Sequence, residues 1–213
     1  DIEFFEVKNE DSYANDYVKF YFTAKNHEAL HQLRTPIYLL FSEDLMGLDF
    51  SVLSNGVNEA AEIKRGIKFN FKEQTQLLAA EPVSLKYLKK IIFRCEADYK
   101  RACNLYGKNK LYSVEPNMFF HEDNYIKDYS IYYNSIRHKD LFMLHFSTLY
   151  PVKNNDNHEY RLYDLNDGLL KTGKINFLES NGTDFNLEVK MPEQPVKFKL
   201  WFYGVICIEE IIG

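Results

Sequence analysis

The chain has 213 residues and a formal net charge of −5; 46% of its residues are hydrophobic and 27% are charged. This balance is typical of a globular protein with a sizeable core, and it excludes a chain-wide basic footprint for nucleic acid. No apolar run approaches the ~20 residues that cross a membrane, so the sequence predicts a soluble chain without a membrane span.

Aromatic residues make up 16% of the chain, with 16 tyrosines, 17 phenylalanines and a single tryptophan. This enrichment favours β-strands, whose half-buried pleated surfaces accommodate large rings. The three cysteines, Cys95, Cys103 and Cys207, are an odd number, so at least one thiol is unpaired within the chain. A reducing compartment such as the cytoplasm is therefore expected, and a secreted mature chain is the alternative.

The first part of the sequence predicts a mixture of strands and helix. Apolar alternation predicts strands over 17–25, 48–53 and 67–71, and the apolar run Ile37–Phe41 predicts a buried strand. A short helical stretch over 28–34 is predicted between the first two of these strands.

A long amphipathic helix is predicted over 84–107. Apolar residues recur there at alternating spacings of three and four between Ser84, a candidate N-cap, and Gly107, a C-terminal stop. These residues are Leu85, Leu88, Ile92, Cys95, Tyr99, Ala102 and Tyr106. The run Ile91, Phe93 and Cys95 also alternates as a strand would, but the length of the pattern favours a helix throughout.

After residue 107 the sequence predicts almost only strands. Turn signals separate them at intervals of roughly 8–12 residues, which is typical of a sandwich or barrel. The predicted strands cover 129–136, 141–150, 159–165, 174–178, 185–191 and 196–203. In the last strand, Val196, Phe198, Leu200 and Phe202 are expected to share one face.

These elements predict a mainly β fold, α+β in its first half, with an antiparallel β-sandwich-like architecture. Aromatic strand sequences near Phe20 are similar to those near Leu144. Two tandem β-modules joined by the amphipathic helix would explain this similarity, and the shared aromatic composition of the strands is the alternative explanation. The expected domains are a mixed β/α module over 1–107 and an all-β module over 108–213, with a single domain as the alternative.

An acidic constellation is the sharpest catalytic candidate. Asp49 is followed 13 residues later by Glu62 and then by Lys64. On adjacent strands Glu62 and Lys64 would project from one face, where two carboxylates can bind Mg²⁺ and a lysine can orient an attacking water. This arrangement resembles the PD-(D/E)xK nuclease family, which implies Mg²⁺-dependent cleavage of nucleic acid by Asp49, Glu62 and Lys64, with Glu28 as an additional helix-borne acid.

A solvated charged segment is the alternative interpretation of this constellation, and the sequence favours it. Residues 60–66 are equally compatible with one short helix, which would place Glu62 and Lys64 on different faces. His27 and His31 are four apart, a spacing that can bind a metal, but no third ligand accompanies them. No metal site is therefore predicted outside the nuclease hypothesis.

Aromatic residues on the predicted strands form the second candidate site. Five of them are expected to form an exposed binding surface: Tyr129, Tyr132, Tyr133, Trp201 and Tyr203. Such side chains dominate interface energetics, although burial inside a two-layer fold would also explain them. We therefore expect a non-enzymatic protein-interaction or assembly module that binds another protein or a second copy of itself, without a cofactor. The Mg²⁺-dependent nuclease acting on nucleic acid is the alternative.

Overall fold

A computed structural model of the chain describes residues 18–21, 37–54, 63–64, 76–119, 124–133, 141–152, 158–175, 177, 182–190 and 194–213. The chain divides into two compact units, one formed by residues 1–91 with 118–120 and the other by residues 92–117 with 121–213. The modules expected to divide at residue 107 remain a prediction, because compactness alone does not show which segment folds independently.

The first unit contains a small antiparallel sheet. The described strands of this unit are β1 (Val18–Tyr21), β2 (Ile37–Phe41), β3 (Ser51–Ser54), β4 (Ile63–Lys64), β5 (Gln76–Ala79) and the start of β6 (Leu88–Phe93). Four of them pair in the order β1-β5-β3-β4. The predicted strand over 67–71 and the predicted helical stretch over 28–34 lie outside the described residues.

Strand β2 forms where it was predicted, but it is not buried. Ile37, Leu39 and Leu40 are 37%, 44% and 40% exposed. β2 is the edge strand of its sheet beside β6 in the described part of the chain. Leu39 and Leu40 project from opposite faces, so neither face of the strand is fully covered. A continuous apolar run is typical of a strand covered on both faces, so the prediction of burial was wrong here.

The predicted helix over 84–107 is wrong in its first half. Ser84 is an N-cap, but of the 3₁₀ turn Leu85–Tyr87, where its Oγ accepts a hydrogen bond from the Lys86 N–H. The chain then forms β6 and remains extended at Cys95, with φ −155° and ψ 170°. The isoleucines and phenylalanine of β6 favour a strand, and this preference prevails over the helical spacing.

The second half of that prediction is confirmed by helix α1 (Glu96–Tyr106). Gly107 ends the helix with φ 78°, a left-handed conformation that favours glycine, and its N–H donates to the Cys103 carbonyl at 2.8 Å. No helix among the described residues is long and apolar enough to cross a membrane.

The second unit contains two antiparallel sheets. Its strands after β6 are β7 (Tyr112–Val114), β8 (Ile126–Tyr133), β9 (Leu141–Thr148), β10 (Glu159–Tyr163), β11 (Leu169–Lys174), β12 (Asp184–Lys190), β13 (Val196–Phe202) and β14 (Val205–Ile212). The sheets have the strand orders β12-β9-β8 and β11-β10-β13-β14. The strand predicted over 174–178 was misplaced, because β11 begins directly after the turn at residues 166–168.

The two sheets share one hydrophobic core, as expected of a sandwich. On β13 the predicted inward residues Val196, Phe198, Leu200 and Phe202 are all buried, and alternate residues of β9 are buried in the same way. The rings of Phe142 and Phe198 meet edge to face with centroids 5.3 Å apart. The mainly β fold with one helix is thus confirmed for the described residues.

Helix α1 packs along β8 and β14, the edge strands of the two sheets. The Lys100 Nζ donates to Asp128 Oδ1 and to the Tyr129 carbonyl, both at 2.6 Å. On the other side, the Asn104 amide donates to the Glu209 carbonyl of β14 at 3.0 Å. The helix therefore occupies two sheet edges that would otherwise remain open.

Candidate functional site

The acidic constellation lies only partly within the described residues. Asp49 is an exposed residue in the turn before β3, and Lys64 lies on β4, where it pairs opposite Leu53. Glu62 and Glu28 are outside the described residues, so the convergence of the constellation remains a prediction. Among the described residues, no three histidine, cysteine or acidic side chains come together as metal ligands.

Tyr129 does not belong to an exposed surface, contrary to its predicted role. Its side chain is only 4% exposed, and its hydroxyl donates to Glu210 Oε1 at 2.6 Å and accepts from the Asn104 amide at 3.5 Å. Burial and the hydrogen bond to Glu210 raise the pKa of Tyr129. Tyr129 is therefore a structural residue that joins β8 to β14.

Tyr132 and Tyr133 are exposed as predicted, with 59% and 56% of their surface accessible. They do not form one patch, however. Tyr133 lies opposite the buried Phe142 and so projects from the core side of the sheet, whereas Tyr132 lies opposite Met143 on the outer side. Successive residues of a strand cannot share a face, and this fact divides the predicted surface.

The outer face of the sheet β11-β10-β13-β14 carries a more coherent surface. Six side chains define what we call the Trp201 face: Arg161, Tyr163, Leu169, Lys199, Trp201 and Ile211. Arg161 lies opposite Lys199, and Tyr163 lies opposite Leu169. Leu162, between the two β10 residues, is fully buried on the other face.

A cationic side chain lies over each of the two aromatic rings of this face. The Arg161 guanidinium lies 4.6 Å from the centre of the Trp201 ring, and the Lys199 Nζ lies 5.6 Å from that of Tyr163. Both distances are within the range of cation–π attraction. Hydrogen bonding to Tyr163 and Glu159 raises the pKa of Arg161, so the guanidinium stays charged.

Carboxylates at the same face bind the lysines. Glu209 forms an ion pair with Lys199, with Oε1 and Nζ 2.7 Å apart, and Asp167 accepts a hydrogen bond from Lys197 at 2.9 Å. The hydrogen bond from Lys197 holds the pKa of Asp167 below its usual value. The face is therefore rich in charged groups, but its cations are partly neutralised within the chain.

Two aliphatic residues stand out from the face. Ile211 is 68% exposed on β14 and Leu169 is 57% exposed on β11. Together with the half-buried Trp201, they leave apolar surface on this face in contact with water, and a bound partner would bury it.

Tyr203 lies at the end of the same sheet, in the two-residue turn between β13 and β14. Tyr203 and Gly204 have φ values of 48° and 78°, the signature of a type I′ hairpin turn. The Tyr203 N–H donates to His158 Nδ1 at 3.3 Å, and its ring meets that of Phe202 edge to face. Tyr203 therefore has a clear structural role, and it is 37% exposed.

A buried polar cluster lies apart from these surfaces. The Cys95 thiol donates to Asp98 Oδ2 at 3.1 Å, and the Arg94 Nε lies 3.4 Å from the same oxygen. Burial raises the pKa of Cys95 and of Asp98, and burial raises the pKa of Cys207 to about 12. Such thiols remain protonated, which makes them poor nucleophiles.

The sequence predicted Trp201 for this surface but missed its neighbours. The alternation along β10 could have placed Arg161 and Tyr163 on the outward face, opposite the buried Leu162. That Lys199 and Ile211 join them depends on which strands pair and in which register, which one sequence does not contain.

No family model matches this sequence, and no curated protein is detectably similar to it. Neither a family nor a relative therefore assigns a site residue, a substrate or a partner to the chain.

Proposed function

We propose that the chain is a non-enzymatic protein-interaction module whose contact surface is the Trp201 face. The observation that carries this proposal is the grouping of Trp201, Tyr163 and Arg161 with two exposed aliphatic residues on one sheet face. Tryptophan, tyrosine and arginine are the residues most enriched at the energetic centres of protein interfaces.

Preorganisation of the face supports the same proposal. Arg161 is held against the Trp201 ring, and Lys199 is held between the Tyr163 ring and Glu209. Side chains that are already ordered lose little conformational entropy when a partner covers them. The rigid strands beneath them also limit the backbone movement that binding would require.

The charge pattern favours a protein partner over nucleic acid. Lys197 and Lys199 already form ion pairs with Asp167 and Glu209, so a phosphate would have to displace these carboxylates. The carboxylates would also repel a polyanion, whose binding depends on unopposed cations. A protein surface that presents both charged and apolar groups matches this face better.

A binding experiment with matched variants tests the proposal. Wild-type protein, Trp201→Ala and Tyr106→Ala are each immobilised and exposed to a lysate of the source cells; retained proteins are identified, and the affinity of a purified candidate partner is measured. Tyr106 is a suitable control because it is 80% exposed at the end of α1, outside the face.

We expect Trp201→Ala to weaken binding of the purified partner about 30-fold or more, the loss typical of a central interface residue. Tyr106→Ala should bind like wild type. Equal affinities of all three proteins for every partner would contradict the use of this face. Mass measurement of the free protein by sedimentation extends the test to a second copy as partner, since Trp201→Ala should then lower the measured mass.

A further inference from the structure

We infer that β11 is an open sheet edge that accepts an extended, acidic segment of another protein chain by strand addition. This inference rests on the proposed function and deepens it, because β11 borders the Trp201 face and contributes Leu169 to it. It assigns both the backbone groups that pair with the partner and the charge of the partner.

The alternation of hydrogen bonds along β11 shows which of its backbone N–H and C=O groups are directed away from β10. The Ile175 N–H donates to the His158 carbonyl at 2.9 Å, so these two opposed residues form a hydrogen-bonded pair at the end of the β10–β11 ladder. Hydrogen-bonded and non-hydrogen-bonded pairs alternate along an antiparallel ladder. The N–H and C=O groups of Lys174 and Thr172 therefore point away from β10, toward the open side.

The edges of the second unit differ in how they are covered. Helix α1 packs against β8 and β14, and the Asn104 amide donates to the Glu209 carbonyl of β14. β11 ends its sheet, and no described strand pairs with it on the side away from β10. Leu169 and Leu170 are 57% and 44% exposed, so β11 leaves apolar side chains as well as backbone groups accessible.

The charge of β11 specifies the partner. Its six residues, Leu169–Lys174, include two lysines and no acidic residue. Acidic side chains opposite these lysines would stabilise an added strand, while basic ones would repel it. Lysines on edge strands also deter pairing with arbitrary strands, and an acidic partner is the kind of strand that overcomes this barrier.

The spacing of the lysines predicts a pattern in the partner. Lys171 and Lys174 are three residues apart, so they project from opposite faces of the sheet. An added strand would therefore carry two acidic residues at this same spacing, one on each face. An apolar residue opposite Leu169 would extend the Trp201 face beyond its own chain.

A pair of synthetic peptides provides the probe. Each is a short, end-capped, fluorescently labelled strand of valine and threonine, with either two glutamates or two lysines at the spacing of Lys171 and Lys174. Binding to the full chain is followed by fluorescence anisotropy. We expect the glutamate peptide to bind about tenfold or more tightly than the lysine peptide, and equal binding or none of either would overturn the inference.

Thr172→Pro tests the backbone part of the inference. Proline removes the outward N–H of residue 172 and places its ring on the open side, while no hydrogen bond to β10 is lost. We expect this variant to lose binding of the glutamate peptide, and Thr172→Ala, which keeps the N–H, to bind like wild type. Unchanged binding by Thr172→Pro would contradict strand addition.

Charge reversal keeps the test decisive if Thr172→Pro does not fold. The double variant Lys171→Glu with Lys174→Glu should prefer the lysine peptide, and an unchanged preference would contradict the inference. Self-association of the free chain that Thr172→Pro abolishes would identify a second copy as occupant and would also overturn it. The peptides pair with β11, whereas Trp201 lies on β13, two strands away in the same sheet. Failure of the peptide test therefore does not by itself refute the proposed function, which the Trp201→Ala experiment tests separately.

Discussion

At the scale of single residues, the same side-chain type serves opposite purposes in this protein. Tyr129 and Tyr132 are three residues apart on β8. The first is buried with its hydroxyl on Glu210, while the second is 59% exposed. A sequence shows that both are tyrosines on a strand, but the β-bulge between Ile126 and Asp128 and the position of α1 decide which one is covered.

Tyr129→Phe tests this assignment. Removing the hydroxyl leaves a Glu210 oxygen without its buried donor, so the free energy of unfolding should fall by about 1–3 kcal/mol. Tyr132→Phe is the matched control, and its change should stay within about 0.5 kcal/mol because its hydroxyl is at the surface. Chemical denaturation of both variants checks the difference, and equal losses would show that the Glu210 contact contributes nothing.

At the scale of elements, a helical spacing of apolar residues does not by itself decide whether a segment forms a helix or a strand. The helical spacing between residues 84 and 107 continues through β6, yet only Glu96–Tyr106 is helical. The capping signals Ser84 and Gly107 are both used, one by a 3₁₀ turn and one by α1. The two capping residues thus predicted the correct ends of this segment, but they did not show that a strand and a helix lie between them.

Strand β11 shows a second limit of sequence patterns. Its residues do not alternate between apolar and polar, and the pattern placed the strand too late in the chain. Gly173 is needed there because the Tyr160 ring on β10 lies across it; an added Cβ would sit 2.3 Å from Tyr160 Cε1. Such an aromatic–glycine pair is visible only when the strand pairing is known.

Gly173→Ala should therefore destabilise the second unit. The methyl group would force the Tyr160 ring out of its position, at a cost of about 1–3 kcal/mol in the free energy of unfolding. Gly47→Ala is the control, since a Cβ at residue 47 would meet no atom within 4 Å. Thermal unfolding of both variants measures the effect, and a Gly173→Ala protein as stable as Gly47→Ala would contradict the β10–β11 register.

At the scale of the whole molecule, composition predicted the class of fold but not its surface. The aromatic excess and the frequent turns predicted a mainly β sandwich, and the second unit has two sheets around one core. The candidate surface could be predicted only in part, because Trp201 is visible in sequence while its neighbours arrive from other strands. The nuclease hypothesis depends on Glu62, and it remains a prediction.

The most direct test of the central claim uses the fact that Trp201 is the chain's single tryptophan. Incorporation of 5-fluorotryptophan gives one ¹⁹F resonance, which reports on the Trp201 face alone. On saturation with a purified protein partner, we predict that this resonance shifts and loses its sensitivity to a soluble paramagnetic quencher, because the partner excludes solvent from the ring. A resonance that keeps its position and its quenching at saturation would contradict binding through the Trp201 face.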